Sequence, residues 1–159
     1  MSMTQDEKFM RAALMQAKRA ARLGEVPIGA IVVKDNAILA RACNLREKKK
    51  DPCAHAEILA MQKAAKVLGG WRLEGCSLYV TLEPCPMCAG AAINARIERI
   101  VFGAYDEKAG CCGTLYDLPR DPRFNHRAEV TGGILSEEST KILKDFFAEL
   151  RKRSKTDDI

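Results

Sequence analysis

The sequence contains no uninterrupted apolar stretch near the roughly 18–20 residues that a membrane-spanning helix requires. Its opening residues, Met1 to Arg11, are polar and mixed in charge, without the apolar run and small-residue cleavage site of a secretory leader. No membrane association and a cytoplasmic location are therefore expected. Internal repeats, low-complexity tracts and an interdomain linker are also missing. A chain of 159 residues then fits one domain, residues 1–159, around one core, with 154–159 read as a disordered tail. Histidine is scarce, at two residues, whereas cysteine reaches seven. The odd number and irregular placement, at 43, 53, 76, 85, 88, 111 and 112, argue against a disulfide framework. Clustered cysteines in a reducing compartment more often bind metal or carry chemistry.

What is present describes an ordinary globular chain: 47% hydrophobic and 30% charged residues exclude a disordered one. The net charge of +5 suits a solvated surface with a slight basic excess, so its placement matters more than its size. Arg46 with Lys48–Lys50, Lys18 with Arg19 and Arg22, and Arg151–Arg153 with Lys155 form three basic clusters that an anionic partner such as RNA could use.

Thr4 followed by Glu7 is a capping pattern, and Met10, Ala13, Leu14, Ala17 and Ala21 recur at helical spacing up to Gly24. Ile28–Lys34 and Ala37–Ala42 read as a hairpin around Asp35-Asn36. A second helix is expected from Asp51 and Pro52 to Gly69-Gly70, with Ile58, Leu59, Met61, Ala65 and Leu68 as its apolar stripe. Ser77–Leu82 and Arg99–Gly103 read as strands, separated by a short helix opened by Pro84 and Pro86. After an irregular stretch, 104–128, come a weaker strand at Glu129–Thr131 and a helix from Ser136 carrying Ile142, Leu143, Phe146 and Leu150. Strands alternating with helices imply an α/β fold, one mixed sheet of about five strands in a three-layer α/β/α sandwich.

The chemistry concentrates in two segments. His55 lies in Cys53-Ala54-His55-Ala56-Glu57, and a strand later comes Glu83-Pro84-Cys85-Pro86-Met87-Cys88. One imidazole and two thiolates supply three soft ligands and leave a fourth tetrahedral position for solvent, the pattern of catalytic zinc. Both segments fall at expected helix N-termini, where free N–H groups and the helix dipole favour thiolates. Glu57, close to His55 but not needed as a ligand, is the candidate proton shuttle. Residues two apart on a helix point about 200° apart, so both can face one pocket only if His55 sits at the helix tip. Two other readings of the motif are a closed structural site with Cys53 as fourth ligand and a redox Cys-x-x-Cys, which needs no upstream His-x-Glu.

His-x-Glu followed by Pro-Cys-x-x-Cys is the known signature of zinc deaminases. Beyond it, Val26-Pro27-Ile28-Gly29-Ala30, Asn44, Thr81–Cys85, Asp106, Lys108, Gly110, Gly113, Leu115, Asn125-His126-Arg127 and Phe146-Phe147 resemble the bacterial tRNA adenosine deaminases of the cytidine-deaminase superfamily over about residues 5–153. The resemblance implies a cytidine-deaminase-like sandwich and one Zn2+ per subunit on His55, Cys85 and Cys88. It further implies hydrolysis of adenosine to inosine at the wobble position of a tRNA anticodon, in a homodimer. It implies that Asn44 hydrogen-bonds the inserted base and that Pro27, Ile28, Ala56, Glu83 and Pro84 shape the pocket. Asp106 and Lys108 would meet flanking nucleotides, and Phe146, Phe147 and Arg151 the anticodon stem-loop.

Plainer roles exist for several of these. Asn44 could stabilise a turn, His126 could be a satisfied loop histidine, and Phe146 with Leu150 could be core. Phe147, about 100° away on the helix, would then be left to stack on bases. The signature is equally that of a deaminase of free guanine, cytosine or nucleoside, and a non-catalytic RNA-binding module with structural zinc is the reading from another class.

Overall fold

In the computed structural model, which describes residues 2–157, Thr4 ends the extended lead-in and its side chain accepts a hydrogen bond from the Glu7 N–H at 3.1 Å. Helix α1 (Gln5–Arg22) follows, burying Met10, Ala13, Leu14 and Ala17 on one face, and Gly24 at φ +79° turns the chain out of it. Strands β1 (Gly29–Lys34) and β2 (Ala37–Cys43) are joined by Asp35 and Asn36, both at positive φ, the left-handed pair whose twist suits a two-residue hairpin.

Helix α2 (Ala56–Leu68) and strand β3 (Cys76–Leu82) come next, then helix α3 (Pro86–Asn94), strands β4 (Arg99–Ala104) and β5 (Glu129–Thr131), and helix α4 (Ser136–Asp157). The five strands form one mixed sheet in the order β2-β1-β3-β4-β5. β1 runs antiparallel to both neighbours, while β3, β4 and β5 are mutually parallel. Alternation along the strands assigns the layers. Ala30, Val32, Leu78, Val80, Ile100 and Phe102 face α2 and α3, whereas Ile31, Val33, Tyr79 and Val101 face α1 and the start of α4. The expected three-layer sandwich is thus the observed one. Gly29 admits the close seat of α1, since a Cβ there would collide with the Ala13 carbonyl and the Ala17 amide.

Four local expectations are corrected. α2 begins at Ala56 rather than near Pro52, because His55 holds an extended backbone (ψ 150°) and Asp51 instead accepts the Cys53 N–H in a turn. Its buried face is Ala56, Ala60 and Ala64 with Met61, so small residues bring the helix down onto β1 and β2. Ile58, Leu59 and Ala65 are left half-buried, and Leu68 is exposed. On α4 the expected apolar stripe holds only in part: Ile142 packs half-buried against the core and Leu143 and Phe146 are half-buried, but Ser139 is the buried residue and Leu150 is 51% exposed. Residues 154–157, expected to be disordered, continue α4, in keeping with a run of good helix formers that Gly and Pro do not interrupt. Residues 158–159 of that expected tail lie outside the described residues.

One polar network ties the layers together. The Asp6 carboxylate accepts two hydrogen bonds from Arg99, each 2.7 Å, and one from the buried Tyr79 hydroxyl at 2.7 Å, while Arg99 also reaches Thr131. Arg99 first, then the Tyr79 hydroxyl, hold the Asp6 carboxyl below its ordinary range against the opposing effect of burial. A depressed carboxyl contributes stability above its unfolded pKa of about 4 and loses it as pH falls below that value. Asp6→Asn should therefore lower stability by about 1–2 kcal/mol at pH 7. In denaturant titrations the gap between variant and wild type should narrow as pH falls from about 5 to about 2.5. A gap independent of pH would contradict this role.

Candidate active site

Sheet topology gathers the candidate residues on one rim. Because β1 is antiparallel to β3, its amino end meets the carboxyl end of β3, where the Gly29 N–H donates to the Thr81 hydroxyl at 3.2 Å. Asn44, just past β2, donates its N–H to the Ile28 carbonyl at 3.0 Å. β4 ends beside β3, with Leu82 opposite Ala104. Pro27, Ile28, Asn44, Glu83–Cys85 and the 105–108 segment accordingly leave the sheet on the same side.

Two helices begin there, and their N-caps are His55 and Cys85. The His55 Nδ1 lies 3.6 Å from Cys85 Sγ and 3.5 Å from Cys88 Sγ, and the three candidate ligand atoms sit within 4.8 Å of one another. Tetrahedral zinc with Zn–S near 2.3 Å and Zn–N near 2.0–2.1 Å separates nitrogen from sulfur by about 3.5 Å. The donors are thus spaced, as well as chosen, for one such ion. Among the described residues no fourth histidine, cysteine or carboxylate joins the group, and Cys53 is exposed outside it. The extended backbone of His55 also removes the helical conflict: the imidazole precedes α2, and Glu57, within its first turn, can share the same side.

The electrostatics fit a cation at this point. The Cys85 thiol is pushed down to about 4, chiefly by the hydrogen bond from Cys88 and then by His55. The Cys88 thiol moves up, because its proton is held against Cys85 and it is buried. His55 is raised by its hydrogen bond to Cys85. Two sulfurs and an imidazole thus share protons in the space that one ion would fill. Glu57 is 4% exposed, and burial is the first cause that raises its carboxyl; its side chain reaches Cys88.

The remaining candidates divide. Asn44 is buried; its amide nitrogen donates to the Val26 carbonyl at 3.2 Å and its oxygen accepts the Arg46 N–H at 3.1 Å. Pro27, Ala56 and Pro84 are buried and Ile28 half-buried. Lys108, Phe147 and Arg151 line one cleft of about 790 Å³ together with Tyr105, whereas Phe146 lines a different recess with Ala21 and Gly24 of the α1 end. The two rings pack edge to face at 5.5 Å. Phe147 is the more exposed, at 40%. His126 bonds the Ile97 carbonyl at 2.7 Å and is the loop-anchoring histidine of the plainer reading.

Two features escaped sequence reasoning. Glu25, fully buried, accepts the N–H groups of Glu47 and Lys48 at 3.0 and 2.9 Å and so moors the basic 46–50 loop beside Asn44. The Glu83 side chain performs a similar service for the 106–114 loop. Both partners are backbone amides of distant segments, for which a sequence offers no periodic signal.

Comparison with known proteins places this geometry among deaminases. A family model described as MafB19-like deaminase matches residues 4–151. A tRNA-specific adenosine deaminase of Bacillus subtilis (strain 168) is 57% identical over 96% of this chain and 95% of its own length. A solved structure from work on A-to-I editing by tRNA:A34 deaminases at the wobble position of transfer RNA superposes with a TM-score of 0.82 at 43% identity, covering 86% of this chain and 99% of that one. A guanine deaminase from Bacillus subtilis is 42% identical with a TM-score of 0.60, over 62% of this chain and 64% of its own.

Metal content separates the open from the closed ligand set. Cys53→Ser should retain one zinc per chain, whereas Cys85→Ser and Cys88→Ser should lose most of it, by elemental analysis after dialysis. Loss of zinc in Cys53→Ser would establish a fourth protein ligand.

Proposed function

The chain belongs to the MafB19-like deaminases by its family match and to the tRNA-specific adenosine deaminases by its identity to them, and on that premise we propose that it hydrolyses adenosine to inosine and ammonia at the wobble position of a tRNA anticodon. The observation that carries the reading is the three-donor cluster, spaced for one ion and flanked by the buried Glu57. His55, Cys85 and Cys88 would hold Zn2+, one per subunit. Such an ion supplies a Lewis acid that lowers the pKa of bound water from about 15.7 towards 7.

Glu57 performs the proton work. As a carboxylate it accepts a proton from the water that bonds to C6 and delivers it to the ring N1. It then takes the second proton from the hydroxyl now on C6 and passes it to the amino group, so that the C6–N bond breaks, ammonia leaves and the oxygen stays as the inosine carbonyl. Burial raises its carboxyl, which lets it hold a proton between these transfers. The base must leave its stack to be reached at C6. Asn44 is oriented by two backbone partners, and a primary amide has two hydrogens and two lone pairs, so its capacity extends to a base edge. Pro27, Ile28, Ala56 and the backbone of Glu83 and Pro84 would wall the pocket.

The choice of RNA over a free base is supported by the cleft between the 105–108 segment and α4. Lys108 and Arg151 offer phosphate contacts and Phe147 a stacking face, and Asp106 would meet a neighbouring nucleotide. Phe146, in the recess against α1, supports Phe147 from behind rather than offering a second stacking face. Likeness to a guanine deaminase keeps free-purine hydrolysis as the second reading. We assign the homodimer contact to the apolar groove between α2 and α3, lined by Ile58, Met61, Trp71 and Leu73 with Ala91 and Ala95, since its apolar lining and the exposed Trp71 at its edge suit a second copy. A monomer in sedimentation at micromolar concentration would remove this assignment. No helix among the described residues is long and apolar enough to cross a membrane, and the cytoplasm, where tRNA is found, is the proposed location.

Incubation of the protein with total tRNA should yield inosine at wobble positions, with activity that falls steeply as salt rises because phosphate contacts release counterions. Glu57→Ala should reduce turnover by at least about 10³-fold while keeping its zinc. Equal turnover of free guanine or adenosine with no salt dependence would favour the second reading, and near-normal activity of Glu57→Ala would refute the proton role.

A further inference from the structure

Glu83 is 2% exposed, and the hydrogen-bond donors that meet its carboxylate all come from one loop. Its Oε1 accepts the Asp106 N–H at 3.1 Å and the Thr114 hydroxyl, and its Oε2 accepts the N–H groups of Cys112 and Thr114 at 3.0 and 3.1 Å. Four donors from a single segment meet one buried charge, which offsets the cost of taking a carboxylate out of water. Gly110 closes the wrap: a Cβ there would collide with the Glu83 carboxylate and the Asp106 carbonyl. The main chain repeats the stitch, with the Glu83 N–H donating to Ala104 and the Cys111 N–H to the Pro84 carbonyl, at 2.8 and 2.9 Å. Within the loop the Asp106 carboxylate accepts the N–H groups of Lys108 and Ala109, so the turn that presents Lys108 continues from the one Glu83 holds.

We propose that Glu83 is a positioning residue: its buried carboxylate fixes the 106–114 loop relative to Cys85, two residues further on, and so sets where Asp106 and Lys108 meet the nucleotides flanking the target base. The nucleotide contact rests on the RNA reading above; the clamp itself does not. The Glu83 side chain acts through the loop, to whose donors both of its oxygens are committed, while its backbone stays with the pocket wall. The loop is thus tied to the stretch carrying Cys85 by one side chain that gathers four donors, with two main-chain hydrogen bonds beside it.

Glu83→Gln is the test, because its amide keeps the shape and one accepting oxygen but brings N–H groups against backbone N–H donors. Thr114→Val, on the exposed side of the loop, removes one donor of four and serves as the milder variant should Glu83→Gln fold poorly. Hydrogen exchange followed by mass spectrometry should speed up roughly tenfold or more across 106–114 in Glu83→Gln, less in Thr114→Val, and stay unchanged in β1 and β3. With an anticodon stem-loop as substrate, KM should rise roughly tenfold while kcat changes much less and zinc stays at one per chain. Lys108→Ala should weaken the wild type but add little in the Glu83→Gln background, since the two would act through one element. Unchanged exchange in the loop, an effect confined to kcat or zinc content, or additive costs of the two substitutions would overturn the proposal. Raised exchange in a protein whose wild type deaminates no RNA would instead overturn the function and leave the clamp standing.

Discussion

The site turns on the convergence of two sulfurs on one imidazole nitrogen, 3.6 and 3.5 Å from it, donated by two segments that are 30 residues apart in the chain. Two helix N-termini make this possible. Each ligand segment leaves an extended stretch and enters a helix at the ligand itself, so His55 and Cys85 stand as N-caps with extended backbones and Cys88 follows one turn into α3. The free amides and dipoles of α2 and α3 point at the cluster, favouring the thiolates that bind a cation. The sheet then supplies position: β3 delivers Cys85 from the middle of five strands, and the antiparallel β1 brings Ile28 and Asn44 to the same rim.

Around that centre, buried carboxylates have separate duties set by their partners. Glu57 sits beside Cys88, where burial raises its carboxyl, as the proton role proposed for it requires. Glu25 and Glu83 instead meet backbone N–H groups and hold the two loops that flank the rim, 46–50 and 106–114. The same residue type is thus an anchor where hydrogen-bond donors saturate it and the proposed reagent where they do not. The exposed second half of α4 adds Phe147 and Arg151 to the cleft beyond the 106–114 loop, extending a basic, partly aromatic surface away from the metal site.

Much of this was legible in the residues. Thr4, Asp35-Asn36, Gly69 and Pro86 are local signals whose physics is complete within a few positions, and the elements they bound lie where they indicate. The cluster of His55, Cys85 and Cys88 was legible because these are rare residue types at restricted spacing. Less legible was anything decided by tertiary contact. The start of α2 could not be read from Pro52, because the fold keeps His55 extended at the helix tip. The buried face of α2 is made of alanines, since a close helix–sheet distance outweighs side-chain size. Leu150 follows the helical stripe yet remains exposed, because α4 outruns the sheet it packs on. The anchoring roles of Glu25 and Glu83 depend on amides 22 to 31 residues away, which no local pattern encodes.

X-ray absorption at the zinc edge of the purified protein at neutral pH tests the central claim most directly. Two sulfurs at about 2.3 Å, one imidazole and one light-atom ligand from solvent are expected. Three sulfurs, or a shell closed entirely by protein, would contradict an open site beside Glu57 and with it the hydrolytic chemistry assigned here.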